Sequence, residues 1–302
     1  MTDVLVVGSY NAGLTVYGPR LPGPGETVVA DAFQAGPGGK GANQAIGTRR
    51  LGAGTAFVTK LGDDVFGREA RTTLTAEGLP AWGILPATAP TGVAFILVDA
   101  SAENMIAIAP GANLELGIDD VTGLGEDVAD ARIVLVQLEC EAALATGVAA
   151  WARRTGKRAI LNPAPARELS AAELALFDVI TPNETELAAL ADHVGLRRGE
   201  PAGQAAELVG AGVANVIVTL GSQGAVWASA EGVRAFPAYP VNAVDTTGAG
   251  DAFTAGLAAA LAQGQPMEAA IDQGCRAGAF CVTRPGVLDG LGYPADLARL
   301  RR

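Results

Sequence analysis

The sequence predicts an α/β fold, a parallel sheet flanked by helices with a small additional β-sheet, and three observations carry that prediction. Apolar runs of strand length recur at residues 4–8, 133–138, 158–161, 178–181 and 215–220. Alanine-rich segments with helical spacing, such as 141–154 and 204–212, lie between them. Two regions, 15–33 and 92–108, break the alternation with shorter strand-like patterns, and Pro19, Pro22 and Pro24 punctuate the first. Strands that are apolar throughout are buried on both faces, as in parallel sheets, and ligands gather at the carboxyl ends of such strands.

In chain order, residues 4–8 run apolar into Gly8 and read as the first buried strand. Residues 91–98 and then 104–108 read as a hairpin turning near Ala100 and Ser101. Strands inserted at two separate places can pair into a small sheet projecting from the body, which serves as a lid over a pocket or as a dimer surface. Residues 252–262 are a good helix former with Gly256 as the one weak point. No internal repeat or low-complexity linker divides the chain, so its two lobes are interleaved in sequence.

Composition bounds the function. The chain has 302 residues, 49% of them apolar, enough for one large core and a smaller appendage. That apolar fraction excludes disorder, and no run of about 18 uninterrupted apolar residues offers a membrane span. The start, Met1-Thr2-Asp3-Val4, lacks the basic and apolar regions of a signal peptide, so a cytoplasmic protein is expected. A net charge of −11 disfavours nucleic acid and anionic membranes as partners. The basic clusters, Arg49-Arg50, Arg153-Arg154 with Lys157-Arg158, Arg197-Arg198 and Arg301-Arg302, read as solvated groups at helix or chain ends. Cys140, Cys275 and Cys281 are odd in number and lack C-x-x-C spacing, which excludes a disulfide framework or zinc knuckle. The single histidine, His193, lies in a polar stretch closing a helix, so histidine-centred chemistry is set aside.

Four segments carry chemistry. Val244-Asp245-Thr246-Thr247-Gly248-Ala249-Gly250-Asp251 leads small residues into a helix, leaving backbone N–H groups as an anion site. Asp251 is either an N-cap or a carboxylate beside that site, and the second reading suits phosphoryl transfer, where a base takes the acceptor's proton. Gly36-Pro37-Gly38-Gly39-Lys40-Gly41-Ala42-Asn43-Gln44 contains G-x-G-x-x-G, with Asp63 some way downstream, so a dinucleotide fold and an oxidoreductase are considered. That turn does not follow the first strand, and it lacks the Ser or Thr of a Walker loop. It reads instead as a glycine turn carrying Lys40, one of only three lysines, and Asn43 towards a polar ligand. In Thr181-Pro182-Asn183-Glu184-Thr185-Glu186, helix capping competes with a role for Asn183 and Glu186 in holding hydrated Mg²⁺. Thr219-Leu220-Gly221-Ser222-Gln223-Gly224 is a strand end opening into a small-residue turn, an ordinary β-turn or a phosphate cradle.

These residues also carry a resemblance. Gly8-Ser9-Tyr10-Asn11, the Gly38 to Gln44 run, Asn162-Pro163-Ala164-Pro165-Ala166, Pro182 to Glu186 and Asp245 to Asp251 resemble, end to end, the ribokinase-like sugar kinases. The resemblance implies one Rossmann-like kinase domain over 1–302. A lid from about 12–35 and 91–110 is inserted in it and often forms a homodimer contact. It implies an ATP-dependent kinase of a small sugar, D-ribose first among them. Asp251 would be the base, with Gly248, Ala249 and Gly250 as the anion hole. Asn11, Gly39, Lys40, Asn43 and Glu139 would bind the sugar. Asn183 and Glu186 would organise magnesium and phosphate, Thr219, Gly221, Ser222, Gly224 and Gly250 the ATP tail, and the helix carrying Cys275 the adenine. A K⁺ site would use Asp245 and the carbonyls of Thr247, Cys281, Arg284 and Gly286, with a last position at Gly290 that offers no hydroxyl. The family reads Asn-x-Asp where this chain reads Asn11-Ala12-Gly13, so a sugar-binding carboxylate is missing at Gly13. That departure motivates a second acceptor class, another small sugar, polyol or nucleoside. A non-catalytic sensor would instead show a broken base or anion turn, and both are intact.

Overall fold

The computed structural model describes residues 2–101, 103–197 and 199–302; Met1 and Arg198, both named above, lie outside the described residues. The strands are β1 (Val4–Val7), β2 (Asn11–Tyr17), β3 (Ala32–Gly38), β4 (Thr55–Leu61), β5 (Ile84–Pro86), β6 (Val93–Val98), β7 (Asn104–Ala109), β8 (Ile133–Gln137), β9 (Arg158–Asn162), β10 (Val179–Ile180), β11 (Asn215–Thr219), β12 (Ala225–Ser229) and β13 (Gly232–Phe236). The helices are α1 (Lys40–Arg50), α2 (Val65–Ala76), α3 (Ile118–Thr122), α4 (Ala142–Arg154), α5 (Ala171–Leu174), α6 (Glu184–His193), α7 (Pro201–Gly210), α8 (Ala249–Ala262), α9 (Met267–Cys281), α10 (Val287–Gly290) and α11 (Pro294–Leu297).

A nine-stranded sheet has the order β13-β12-β11-β10-β9-β8-β1-β4-β5, parallel from β11 to β5, with β12 and β13 antiparallel at one edge. Alternate residues of β1 enter two separate cores. Val4 and Val6 pack with residues of α1, α8 and α9, whereas Leu5 and Val7 pack with residues of α4, α6 and α7. Helices therefore cover both faces, which is why the strands are apolar throughout. The order reverses at β1, between β8 and β4, so the crevice at the carboxyl end of β1 is where a ligand belongs.

The second sheet has the order β3-β2-β6-β7. Its strands differ from the expected 15–33 segment: Gly18 to Ala30 pair with nothing as a strand, and pairing resumes at Ala32–Gly38. Three prolines without N–H donors account for the break. The hairpin, by contrast, forms as read, with Ile96 opposite Ile106. The strand expected at 178–181 narrows to two residues, and the chain bridges onward through Asn183 and Thr219.

Gly256 turns out to serve packing. A Cβ there would lie 3.0 Å from Ala277 Cβ and from the Gln273 carbonyl, so the glycine permits the close crossing of α8 and α9. The basic clusters are less uniform than expected. Arg50 is partly buried, paired to Glu77 and donating to the Leu288 and Leu291 carbonyls at 2.6 and 2.8 Å. Lys157 caps the Ala129 and Ala131 carbonyls, Arg158 opens β9, and Arg197 lies in the α6–α7 connection. Among the described residues no helix is long and apolar enough to cross a membrane, and the three cysteines are buried and free.

Candidate active site

The ends of β1 and β8 and the start of α1 meet tightly. Gly39 has φ +90°, and a Cβ on it would sit 2.7 Å from the Asn11 amide nitrogen; one on Gly41 would sit 2.6 Å from the Ser9 nitrogen. Glycine is thus required for α1 to start against the β1 turn. Glu139, just beyond β8, ties this corner together. Its Oε2 accepts from Ser9 Oγ, from the Lys40 N–H at 2.9 Å and, more weakly, from Asn11 Nδ2 at 3.4 Å. Asn113 holds the other end of Asn11, donating to its Oδ1 at 2.9 Å.

Asp251 stands in the first turn of α8 with 5% of its surface exposed. Asn43 Nδ2 donates to one carboxylate oxygen and Gln44 Nε2 to the other, each at 2.8 Å. The Asp251 charge is the largest influence holding Lys40 above its ordinary value; burial opposes it, and Glu139 and Glu186 add to it. Burial is also the largest influence on Glu186, raising its carboxyl, while Lys40 works against that rise. Lys40 thus feels the charges of Asp251, Glu139 and Glu186, and Glu186 feels those of Lys40 and Asp251.

Gly248 precedes α8 in the left-handed region at φ +78°, and a Cβ on it would meet Val287 Cγ1 at 2.6 Å. Both facts demand glycine. The expected trio of anion donors needs one correction. The Ala249 N–H already donates to the Thr246 carbonyl at 3.3 Å, because the left-handed turn folds that carbonyl back over the helix start. Gly248, Gly250 and Asp251 have N–H groups without an acceptor among the described residues, and a Cβ on Gly250 would meet nothing within 4 Å. The open space and the free donors coincide at the α8 N-terminus.

Beside it lies a cavity of about 720 Å³, lined by Thr219, Gly221, Ser222, Gly224, Gly250 and Cys275, all anticipated from sequence. The loop residues Pro237 to Val241, with Phe253, were not anticipated, because nothing in their types marks chemistry. Gly224 has φ +98° and a Cβ there would lie 2.0 Å from the Phe236 carbonyl, so the turn's shape requires it. Asn183 and Glu186 form a full capping box on α6, with bonds of 2.8 and 2.9 Å. The capping alternative is therefore realised, and it leaves Glu186 Oε1 without a partner among the described residues.

Asp245 joins two segments, accepting from the Thr247 and Gly286 N–H groups at 2.9 Å each. The Cys281 carbonyl accepts from Arg284 N–H, and a Cβ on Gly290 would crowd Cys281 Sγ at 2.8 Å. Gly13 is different: its nearest neighbour for a Cβ is the Gly36 carbonyl at 3.4 Å, so the missing side chain there is a choice that sterics do not impose. The dinucleotide reading fails on geometry. The glycine turn follows β3 of the small sheet, and Asp63 is a fully exposed residue near Arg68.

A model of the pfkB family of carbohydrate kinases matches residues 1–292. The chain belongs to that family. It is 37% identical to a deoxyribokinase of Salmonella typhi, with 97% of this chain and 96% of that one covered. It is 38% identical to a ribokinase of Haemophilus influenzae, with 93% and 92% covered. Among solved structures, a ribokinase from Thermotoga maritima matches with a TM-score of 0.90 at 34% identity, covering 99% of this chain and 98% of that one. The α/β body with its separate small sheet is the ribokinase architecture, and the chain is a sugar kinase. The mostly parallel sheet expected from sequence is borne out in the same way.

Proposed function

We propose that this kinase transfers the γ-phosphoryl group of ATP to the terminal hydroxyl of D-ribose, giving D-ribose 5-phosphate. The observation that carries the reading is the buried Asp251 carboxylate, fixed by two amides next to free N–H groups at a helix start. An Arabidopsis thaliana ribokinase solved with ribose and ATP, 30% identical over 99% of this chain with a TM-score of 0.86, supports the pairing of substrates.

In this reading Asp251 takes the proton of the attacking hydroxyl, and the N–H groups of Gly248 and Gly250 face the moving phosphoryl. Lys40 and Asn43 orient the acceptor. Asn11, Gly39 and Glu139 form the far wall of its pocket. The Thr219 to Gly224 turn and the α9 face around Cys275 hold the nucleotide in the large cavity. Glu186 and Asn183, hard oxygen donors with Glu186 Oε1 free, suit hydrated Mg²⁺, which would neutralise donor phosphate charge when bound. The carboxylate of Asp245 and the carbonyls of Thr247, Cys281, Arg284 and Gly286 are likewise oxygen donors suited to K⁺. Gly290 adds nothing to that set, and Asp245 already bridges the two segments by itself.

The small sheet is assigned as the lid. Asn11, Gly13 and Thr15 share one side of it, with Ala94, Ile96, Ile106 and Ile108 in the same rows, and this is the side that would close over the site. Closure of that apolar face would exclude water from Asp251. The opposite face carries exposed Phe33, Phe95 and Met105, which supports a homodimer through the lid. A monomer by sedimentation velocity contradicts that assembly.

Gly13 favours a second reading, an acceptor with fewer hydroxyls or another substituent at that wall, and a deoxyribokinase stands among the similar proteins. ADP release with Mg²⁺-ATP and K⁺, measured across D-ribose, 2-deoxy-D-ribose, other pentoses and nucleosides, tests both. Highest kcat/KM with D-ribose supports the first reading, and a clear preference for another acceptor replaces it.

A further inference from the structure

We propose that Gln44, held in turn by Gln137, is a positioning residue for Asp251, fixing the plane of the carboxylate that meets the acceptor hydroxyl. The inference rests on the reading of Asp251 as the base.

Gln44 is fully buried in α1. Its Nε2 donates to Asp251 Oδ1 at 2.8 Å and to Asn162 Oδ1 at 3.0 Å, and its Oε1 accepts from Gln137 Nε2 at 2.6 Å. Asn162 is itself anchored, donating to the Thr181 carbonyl at 3.1 Å. An ionised carboxylate only accepts, so Gln44 must turn its nitrogen towards Asp251 and its oxygen away. That oxygen obliges Gln137 to present its nitrogen, and Gln137 Oε1 is then left buried with no partner. The orphaned oxygen sits in the volume vacated by Gly8, where a Cβ would come within 2.0 Å of it.

A buried amide oxygen left unsatisfied is uncommon and calls for a reason, and the direction of the amide chain supplies one here. The whole chain of amides has one consistent direction, and Asp251 sets it. Asn43 holds the other carboxylate oxygen, so donors from two successive residues of α1 clamp both. The carboxylate cannot rotate about its bond, and lone pairs not used by the amides remain for the incoming proton. The charged and titratable groups that also act on this centre are Lys40 on α1, Glu139 beyond β8, Glu186 on α6 and Cys281 on α9. None of them contacts Gln44 or Gln137 by a hydrogen bond.

The test compares Gln44→Met, Gln137→Met, Asp251→Asn and the double variant Gln44→Met with Asp251→Asn. Gln44→Met is expected to lower kcat by about ten- to a hundredfold, the range for a hydrogen bond to a charged group, with KM for ATP within about twofold. The acid limb of its kcat profile moves to higher pH, because a donor that favours the ionised form has been removed. In the Asp251→Asn background the same substitution has no further effect on the residual rate. Gln137→Met, one step further out, shifts the limb in the same direction by less, and keeps the test open if Gln44→Met does not fold. Carbon-13 titration of the Asp251 carboxyl, assigned by its loss in Asp251→Asn, gives the same shift without any sugar present.

An unmoved limb and an unmoved carboxyl titration, with a cost that adds in the double variant, overturn the positioning role. Wild-type kcat in Asp251→Asn overturns the base reading itself, and so separates the two failures.

Discussion

The two halves of the site are built on opposite principles. On the proposed acceptor side, two side-chain networks are in place before any ligand arrives, Ser9, Asn11, Asn113 and Glu139 in one and Asn43, Gln44, Gln137, Asn162 and Asp251 in the other. On the proposed nucleotide side, a cavity of about 720 Å³ is walled largely by glycines and apolar residues such as Pro237, Phe253 and Val282, with Thr219, Ser222 and Thr246 among its few polar side chains. The difference follows from what each half must do. Chemistry at one hydroxyl needs atoms held within fractions of an ångström, which preformed side-chain networks supply. Nucleotide binding needs shape, apolar area and a few N–H groups at a helix end. Single side chains should therefore matter greatly on one side and little on the other.

The sharpest way to probe the acceptor side is to restore what it lacks. Gly13→Asp is expected to raise kcat/KM for D-ribose by about ten- to a hundredfold, the worth of a charged hydrogen bond of roughly 1.5–3 kcal/mol. A Cβ at Gly13 would meet only the Gly36 carbonyl, at 3.4 Å, so the backbone there admits a side chain. Steady-state kinetics decide it, and an unchanged or lower value would mean the acceptor has no hydroxyl at that wall.

On the nucleotide side, backbone shape should outweigh side chains. Gly224→Ala forces a left-handed residue against the Phe236 carbonyl. At about 1–2 kcal/mol for that conformation, KM for ATP should rise by roughly five- to thirtyfold. Ser222→Ala should change it by no more than about fivefold. A reversal of that order would show that the nucleotide is read by side chains after all.

The smallest effect is a stability change at Glu186. Burial raises its folded pKa above the ordinary value, so the folded state binds more protons there than the unfolded state does. Stability is then lost as pH rises from the ordinary carboxylate value through the raised one. Glu186→Gln should raise Tm at pH 7 by less than about 2 °C and have no such effect near pH 4, as read by calorimetry. Its activity should fall while its stability rises, the mark of a carboxylate retained for binding.

Legibility followed burial only in part, since the buried β4, interrupted by Thr59 and Lys60, and β12 were not among the runs read from sequence. β1, β8, β9 and β11 announced themselves because both faces are covered and their runs are apolar. β13 did not, since its residues are largely exposed at the sheet edge and carry no period, and β10 is too short to show one. Asp251, Lys40, Asn43 and the Thr219 to Gly224 turn were readable because local glycine and helix-start patterns mark them. The use of Gln44 and Gln137 was not, although Gln44 lies inside a motif. Gln44 meets Asp251 across 207 positions and Gln137 across 93, and only the closed fold brings the amides together. The engaged Ala249 N–H depends on the left-handed turn at Gly248, a detail that a run of small residues does not disclose.

The central claim is that a buried, amide-clamped Asp251 carries out the proton transfer of a sugar kinase. The most direct test measures ATP affinity by calorimetry and sugar-dependent ADP release for the wild type and Asp251→Asn side by side. A base at Asp251 predicts a fall in kcat of about 10²–10⁴-fold with ATP affinity unchanged within a few-fold. Sugar-dependent turnover that survives the substitution at the wild-type rate would contradict it.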